Sequence, residues 1–229
     1  MKKIELAHLL EAGVHLGHKS NRWNPKMFPY IYTERRYVHI IDLIQTIKFL
    51  KLACKFSETA ASKNESFLFV GTNKSIAPII TSEAQRCGAF YINYRWLGGM
   101  LTNWETIRTR IERLKNLEDQ EKQTAFKNIP KKEAANLKKE LEKLKKYFNG
   151  VKEMKKLPEN IIIVDQKNDI IAVKEALSLD IQVISILDTN CDPDLATIPI
   201  PGNDDSIKSV KYLIGNLVDS ICLGQQIIK

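Results

Sequence analysis

The chain predicts an α/β fold: a doubly wound, mainly parallel sheet, flavodoxin-like or Rossmann-like, carrying an inserted antiparallel coiled-coil hairpin of two α-helices. Three observations carry this. The runs Phe67 to Val70, Ile161 to Val164 and Ile181 to Leu187 are apolar at nearly every position, as strands buried on both faces must be. Stretches with apolar residues three and four apart lie between them, so strands alternate with helices. Ala134, Leu137, Leu141, Leu144 and Phe148 then recur in heptad steps, the signature of a paired helix. The expected organisation is an α/β domain of residues 1–103 and 151–229, with a binding arm at 13–36, and a hairpin insertion at 104–150.

In order, Ile4, Leu6, Leu9, Leu10 and Ala12 mark a first helix that stops at Gly13. The stretch from Val14 to Met27 is too rich in Gly, Asn and Pro to predict a regular element. Tyr30 to Tyr32 and Tyr37 to Ile41, joined through Thr33 to Arg36, read as a hairpin. His39 alternates with apolar residues there and reads as a satisfied structural histidine. Leu43, Ile47, Leu50 and Cys54 line a helix running to about Ser62, and the strand Phe67 to Val70 follows. Ser75 is placed to cap the next helix, with Pro78 harmless in its first turn. Ala89 to Ile92 ends a further strand.

Ile107, Ile111, Leu114 and Leu117 stripe the first insertion helix, and Gln120 to Pro130 is a polar connection to the second. The Lys-rich outer faces of this pair are solvated or meet an anionic partner. Beyond Pro158 the strands from Ile161 and Ile181 flank a helix from Ile170 to Leu179. Ile198 to Pro201 reads as an edge piece, where proline is tolerated. Asn203 to Ser206 caps a last helix.

The formal charge of +8 is unevenly spread: residues 1–36 hold seven basic and three acidic side chains, 104–157 sixteen and nine, but 158–229 five and eleven. Such asymmetry suits a protein that turns one positive side to a polyanion. Cys54, Cys87, Cys191 and Cys222 are widely spaced and read as small hydrophobes in a reducing compartment. Glu5, His8 and Glu11 break any apolar leader, so no signal peptide is expected, and no apolar run reaches the ~20 residues of a membrane span.

The groups best placed for chemistry lie in two loops. From Tyr91 to Asn103, Arg95 offers a planar phosphate donor, Trp96 a face for a sugar or a support for the loop, and Asn103 a cap for the helix that follows. Gly98 and Gly99 would let another backbone approach. In the arm, Lys19, Arg22 and Lys26 surround Trp23, as in a phosphate-contacting segment with one aromatic. Arg35 and Arg36 sit in the hairpin turn, Lys74 at the carboxyl end of a strand, and Arg108 on the first insertion helix. Gly71 to Ser75 fails as a Walker loop, because the stretch between Gly71 and Lys74 is shorter than the four residues and glycine the pattern needs, and no glycine adjoins Lys74. His15 and His18 lack a third ligand nearby, so no metal is expected.

Asp165, Asp188, Asp192 and Asp194 fall near strand ends and admit a second reading. In it the chain is a doubly wound nucleotide-binding enzyme using Asp165, Asp188 and Lys74, with magnesium held by the carboxylates. No activated nucleophile accompanies them, so no catalytic residue, cofactor or small-molecule substrate is assigned.

The residues laid out so far closely resemble one family. Gly13 to Met27, with its His-Leu-Gly-His and Trp-Asn-Pro-Lys-Met, His39 to Leu43, Phe69 to Thr72, Tyr94 to Asn103, Asp188 to Asn190 and Ile200 to Asp205 match, in order, the S-two family of small-subunit ribosomal proteins in its bacterial and organellar form. The resemblance implies a non-enzymatic ribosomal component that binds 16S-type ribosomal RNA between head and body of the small subunit and meets neighbouring small-subunit proteins. Glu83 to Gly88, Met100 to Trp104, Pro130 to Ala134 and Asn190 to Asp194 look most like the cyanobacterial and plastid branch. That implies the chloroplast stroma, with the bacterial cytoplasm as the alternative.

Overall fold

The computed structural model of the chain describes residues 4–124, 126 and 130–226. Lys2, Lys3 and part of the expected connection between Gln120 and Pro130 lie outside them. Helix α1 spans Leu6–Glu11, and β1 (Leu16–Lys19), β2 (Ile31–Arg35) and β3 (Val38–Ile41) form an antiparallel sheet of order β1-β3-β2. The presence of β1 corrects the sequence reading, which assigned the arm no regular element. Its backbone is extended because Leu16 and Lys19 pair with Ile40 and Val38 of β3, and that partner is invisible in local composition. The β2–β3 hairpin turns through Arg36 and Tyr37, both at positive φ (52° and 61°), the backbone that a two-residue turn of primed type requires.

Next come α2 (Leu43–Ser62), β4 (Phe67–Val70), α3 (Ala77–Arg86), β5 (Phe90–Ile92), α4 (Trp104–Thr124) and α5 (Lys131–Phe148). The chain ends through β6 (Asn160–Ile163), α6 (Ile170–Ser178), β7 (Gln182–Leu187), β8 (Ile198–Pro201) and α7 (Ile207–Gln226). The predicted strands and helices appear within a few residues of their expected bounds. The predicted cap of α3 is corrected: the Asn73 side chain accepts from the Ser75 amide at 3.1 Å, and the Asn73 carbonyl accepts from Ile76 and Ala77. Asn73 thus holds the turn that leads into α3, and the helix itself starts after Ile76 without a side-chain cap.

The main sheet is fully parallel in the order β5-β4-β6-β7-β8. Its strands bury alternate residues on opposite faces. Phe67, Phe69, Ile162, Ile184 and Ile186 join the core under α1, α2, α3 and α7, while Leu68, Val70, Ile161, Ile163 and Val183 join the core under α4, α5 and α6. Both faces are covered, which is why the runs are apolar throughout. By sequence rank the strand order is that of a flavodoxin-like sheet, whose direction of winding reverses between β4 and β6.

Helices α4 and α5 interrupt the chain between β5 and β6 and share Leu114, Leu117, Leu141 and Phe148 with the second core. Ion pairs join Arg113 to Glu140 at 3.1 Å and Glu121 to Lys145 at 3.1 Å. Three of the cysteines are buried and Cys222 is half-buried, all as free thiols, and burial pushes Cys87 up to about 11. No helix among the described residues is long and apolar enough to cross a membrane.

Candidate nucleic-acid interface

Because every strand of the main sheet is parallel, all the strand carboxyl ends meet at one edge. The loops there differ in charge from one side to the other. After β4 and β5 come Thr72, Lys74, Asn93, Tyr94 and Arg95, and the last turn of α5 brings Lys145, Lys146 and Tyr147 beside them. These groups line a cleft of about 620 Å³ that contains four cations and no carboxylate. Lys74, Arg95 and Lys146 are exposed. The Tyr94 and Tyr147 rings meet edge to face at 5.2 Å and form one wall. A positive, aromatic-walled cleft without acids attracts phosphate and accommodates a stacked or splayed base.

The loop that carries Arg95 is built on a residue the sequence reading missed. Glu175 of α6 is 8% exposed, and its carboxylate accepts from Trp96 Nε1 (3.0 Å), from the backbone amides of Gly99 (2.7 Å), Leu101 (2.9 Å) and Thr102 (3.2 Å), and from the Thr102 hydroxyl (3.3 Å). Burial pushes this carboxyl up, but the indole and amide donors outweigh it and hold the acid below its ordinary range. Trp96 is 6% exposed, so of its two expected roles it takes the second, supporting the loop. Gly99 sits at φ +87°, which aims its amide at Glu175, whereas a side chain at Gly98 would meet only open space. The exposed Asn103 accepts from the Thr106 hydroxyl at 2.8 Å in the first turn of α4.

At the switch of winding, between the carboxyl ends of β4 and β6, Thr72 is tied to Asp169 at the start of α6. Its hydroxyl donates to Asp169 Oδ1 at 2.9 Å and its amide to Oδ2 at 3.3 Å. Burial raises the Asp169 carboxyl to about 6, against a partial opposing effect of those two donors and with nearby Asp165 adding to the rise. A raised acid binds its proton more tightly when folded, so its contribution to stability is full below pH ~4 and is lost as pH rises through about 6. From 3.8 to about 6 that amounts to about 3 kcal/mol. Urea melts at pH 4.5 and 7 are expected to show about 2 kcal/mol of this loss, the rest falling below pH 4.5, and the Asp169→Asn variant to lack it.

Of the other predicted cations, Lys19, Arg22, Arg35 and Arg36 lie on or beside the small sheet. Arg35 and Arg36 are exposed at the hairpin tip, and Lys19 and Arg22 are exposed beside Trp23. Trp23 is 37% exposed and packs edge-on against His39 at 5.3 Å. His39 is buried, but its Nδ1 finds no partner among the described residues, so it is structural without being fully satisfied. Lys26 bonds Asp192 at 2.8 Å and Asp194 at 2.7 Å, and those carboxylates raise its pKa. It fastens the arm to the loop after β7. Arg108 lies 3.7 Å from Glu112 one turn along α4. The Asn24 amide donates to the Thr189 carbonyl at 2.8 Å and adds to the docking.

The acids at the other side of the edge are occupied structurally. Asp165 accepts from the Asn168 amide and side chain, and Asp188 accepts from the His18 and Thr189 amides and the Thr189 hydroxyl. His18 Nδ1 lies 2.9 Å from Asp188 Oδ2, and burial is outweighed by this bond, which raises the imidazole pKa. Among the described residues Lys74 lines one cavity and Asp165 another, while Asp188 is taken up by His18 and Thr189, so the constellation needed for phosphoryl transfer is not assembled. His18 does meet two acids that its own neighbourhood in sequence could not reveal.

Comparison with known proteins places the chain among its relatives. The family model described as Ribosomal protein S2 matches residues 9–224. The chain is 61% identical to the small ribosomal subunit protein uS2c of Guillardia theta, over 96% of this chain and 94% of that protein. It is 57% identical to uS2c of Rhodomonas salina, over 98% and 92%, and 54% identical to uS2 of Synechococcus sp. (strain JA-2-3B'a(2-13)), over 98% and 85%. Identity of this degree over nearly the whole length leaves one conclusion: the chain belongs to the ribosomal protein S2 family.

Proposed function

We propose that the chain is a structural constituent of the small ribosomal subunit of the chloroplast, binding 16S-type ribosomal RNA and neighbouring small-subunit proteins rather than performing catalysis. The observation that carries this reading is the near full-length identity to proteins named small ribosomal subunit protein uS2c and uS2. The acid-free cleft of Lys74, Arg95, Lys145 and Lys146 supports RNA contact at the carboxyl ends of β4 and β5. The exposed Lys19, Arg22, Arg35 and Arg36 form a second contact region on the small sheet, with Trp23 beside it and Arg108 extending the surface along α4.

Residues 1–103 and 151–229 act as the α/β domain and residues 104–150 as an inserted helical arm. The placement of α4 and α5 between β5 and β6 supports this division, and their shared apolar residues support the coiled-coil hairpin. The pairs Arg113–Glu140 and Glu121–Lys145 depart from an ideal antiparallel register, in which one number falls as the other rises.

Co-sedimentation with small-subunit particles at moderate salt tests the assignment, and loss of the protein from that fraction would overturn it. RNA contact is tested by the salt dependence of affinity for the matching rRNA. Each phosphate contact contributes roughly 0.7–0.9 to the slope of log affinity against log salt. The double variant Lys74→Ala/Arg95→Ala is expected to flatten the slope by about 1.5. Lys26→Ala is expected to leave it unchanged, because Asp192 and Asp194 already hold that cation.

A further inference from the structure

We propose that His18, Asp188 and Asp204 form a binding site for one divalent transition-metal ion of the Zn²⁺ or Mn²⁺ kind, which locks the arm onto the parallel sheet. The three residues come from β1, the end of β7 and the turn between β8 and α7, and one ligand atom of each lies within 4.8 Å of the others. Ligands bound at about 2.0–2.2 Å on one ion stand about 3–4 Å apart. Small side-chain rotations therefore close the site. The 2.9 Å separation of His18 Nδ1 from Asp188 Oδ2 already equals the spacing of adjacent ligands on one ion, so the metal takes the place of the shared proton.

Asp204 supplies the second, independent observation. It is 3% exposed and lines a cavity of about 170 Å³ with His18, Asp165 and Asp205. Among the described residues, the donor that reaches its carboxylate is its own backbone amide. A carboxylate so buried is ordinarily paired or coordinated to metal. The carboxylates of Asp188, Asp165 and Asp205 stand near enough to oppose its charge. The arrangement is poor for stability unless a cation joins it. Lys167 and Arg22 line the same cavity, yet no ion pair joins a lysine or arginine to Asp165, Asp188 or Asp204 among the described residues. Asp205 Oδ2, 3.6 Å from His18 Nε2, stands at the open side. One imidazole with carboxylates suits zinc or manganese better than magnesium, which prefers oxygen alone.

The test is calorimetric titration of ZnCl₂ into the purified full-length chain, stripped with chelator and held in millimolar Mg²⁺ to mask weak acidic surface sites. One Zn²⁺ per chain is expected, with affinity falling at least tenfold in Asp204→Asn and in His18→Gln. Without metal, Asp204→Asn is expected to melt no lower than the wild type, since it removes one of several facing negative charges. No saturable uptake by the wild type, or uptake undiminished in both variants, overturns the proposal. His18 is partly exposed, so its variant keeps the test valid if Asp204→Asn folds poorly.

Discussion

Glu175→Ala is expected to lower the stability of the chain by about 4 kcal/mol, measured by urea unfolding at pH 7. One carboxylate accepts five hydrogen bonds from the Trp96 to Thr102 loop, and two of its donors, Trp96 Nε1 and the Leu101 amide, belong to buried residues. Bonds to a charged acceptor contribute about 1.5–3 kcal/mol each, but the loop would relax and admit water, so the sum is well below additive. The cost of burying the charge is already included in the folded state, and removing the acid leaves its donors stranded. Glu175→Gln is expected to fall between, at about 2 kcal/mol, because its NH₂ must face at least one N–H donor. Both variants are expected to weaken RNA binding, since the loop that presents Arg95 loses its anchor.

The pH response separates anchoring from bulk. A carboxyl held below its ordinary range stabilises above its unfolded pKa of about 4.5, and that stability is lost as pH falls. The wild type is expected to lose this contribution on acidification. Glu175→Gln is expected to lose less, and equal acid sensitivity of the two proteins would refute the anchoring role.

Gly150→Ala is expected to cost about 3 kcal/mol, read as a lowered midpoint in the same urea unfolding. Gly150 lies in the turn after α5, and a Cβ there would stand 2.1 Å from the Tyr91 carbonyl oxygen and 2.6 Å from the Tyr91 ring. Tyr91 belongs to β5, whose backbone pairs with β4, so the obstacle cannot swing aside as a flexible side chain would. The strain falls where the chain leaving α5 meets β5, beside the basic cleft that Tyr91 and Asn149 help to line. A matched control is Gly98→Ala, where nothing lies within 4 Å, and a change within about 0.5 kcal/mol is expected. If the two substitutions cost the same, the close approach of Gly150 to β5 is not a source of stability.

Much of the fold was legible because it rests on local pattern. Apolar runs such as Phe67 to Val70 report burial on two faces, and the three-and-four spacing of Leu43, Ile47, Leu50 and Cys54 reports one covered face. The loop from Tyr91 to Asn103 was recognisable from its Arg, Trp and Gly content, and Arg95 does stand exposed in a cation-lined cleft. Its glycines were less legible: Gly99 uses its freedom, while Gly98 meets nothing in this chain. Lys26 was visible as a cation, but not as one held by Asp192 and Asp194, more than 160 residues away.

By itself the sequence determined the alternation of strands and helices, the two-sided burial of the sheet and the family, since each depends on residue type and spacing along the chain. Only the tertiary structure decided that Glu175 holds the Trp96 loop, that Leu16 to Lys19 is a strand, and that His18 meets Asp188 and Asp205. Those contacts join residues 73 or more positions apart, or pair a segment with a partner strand. A polar group satisfied at such a distance leaves no periodic trace, because its partner is chosen by how the layers stack and not by what stands beside it.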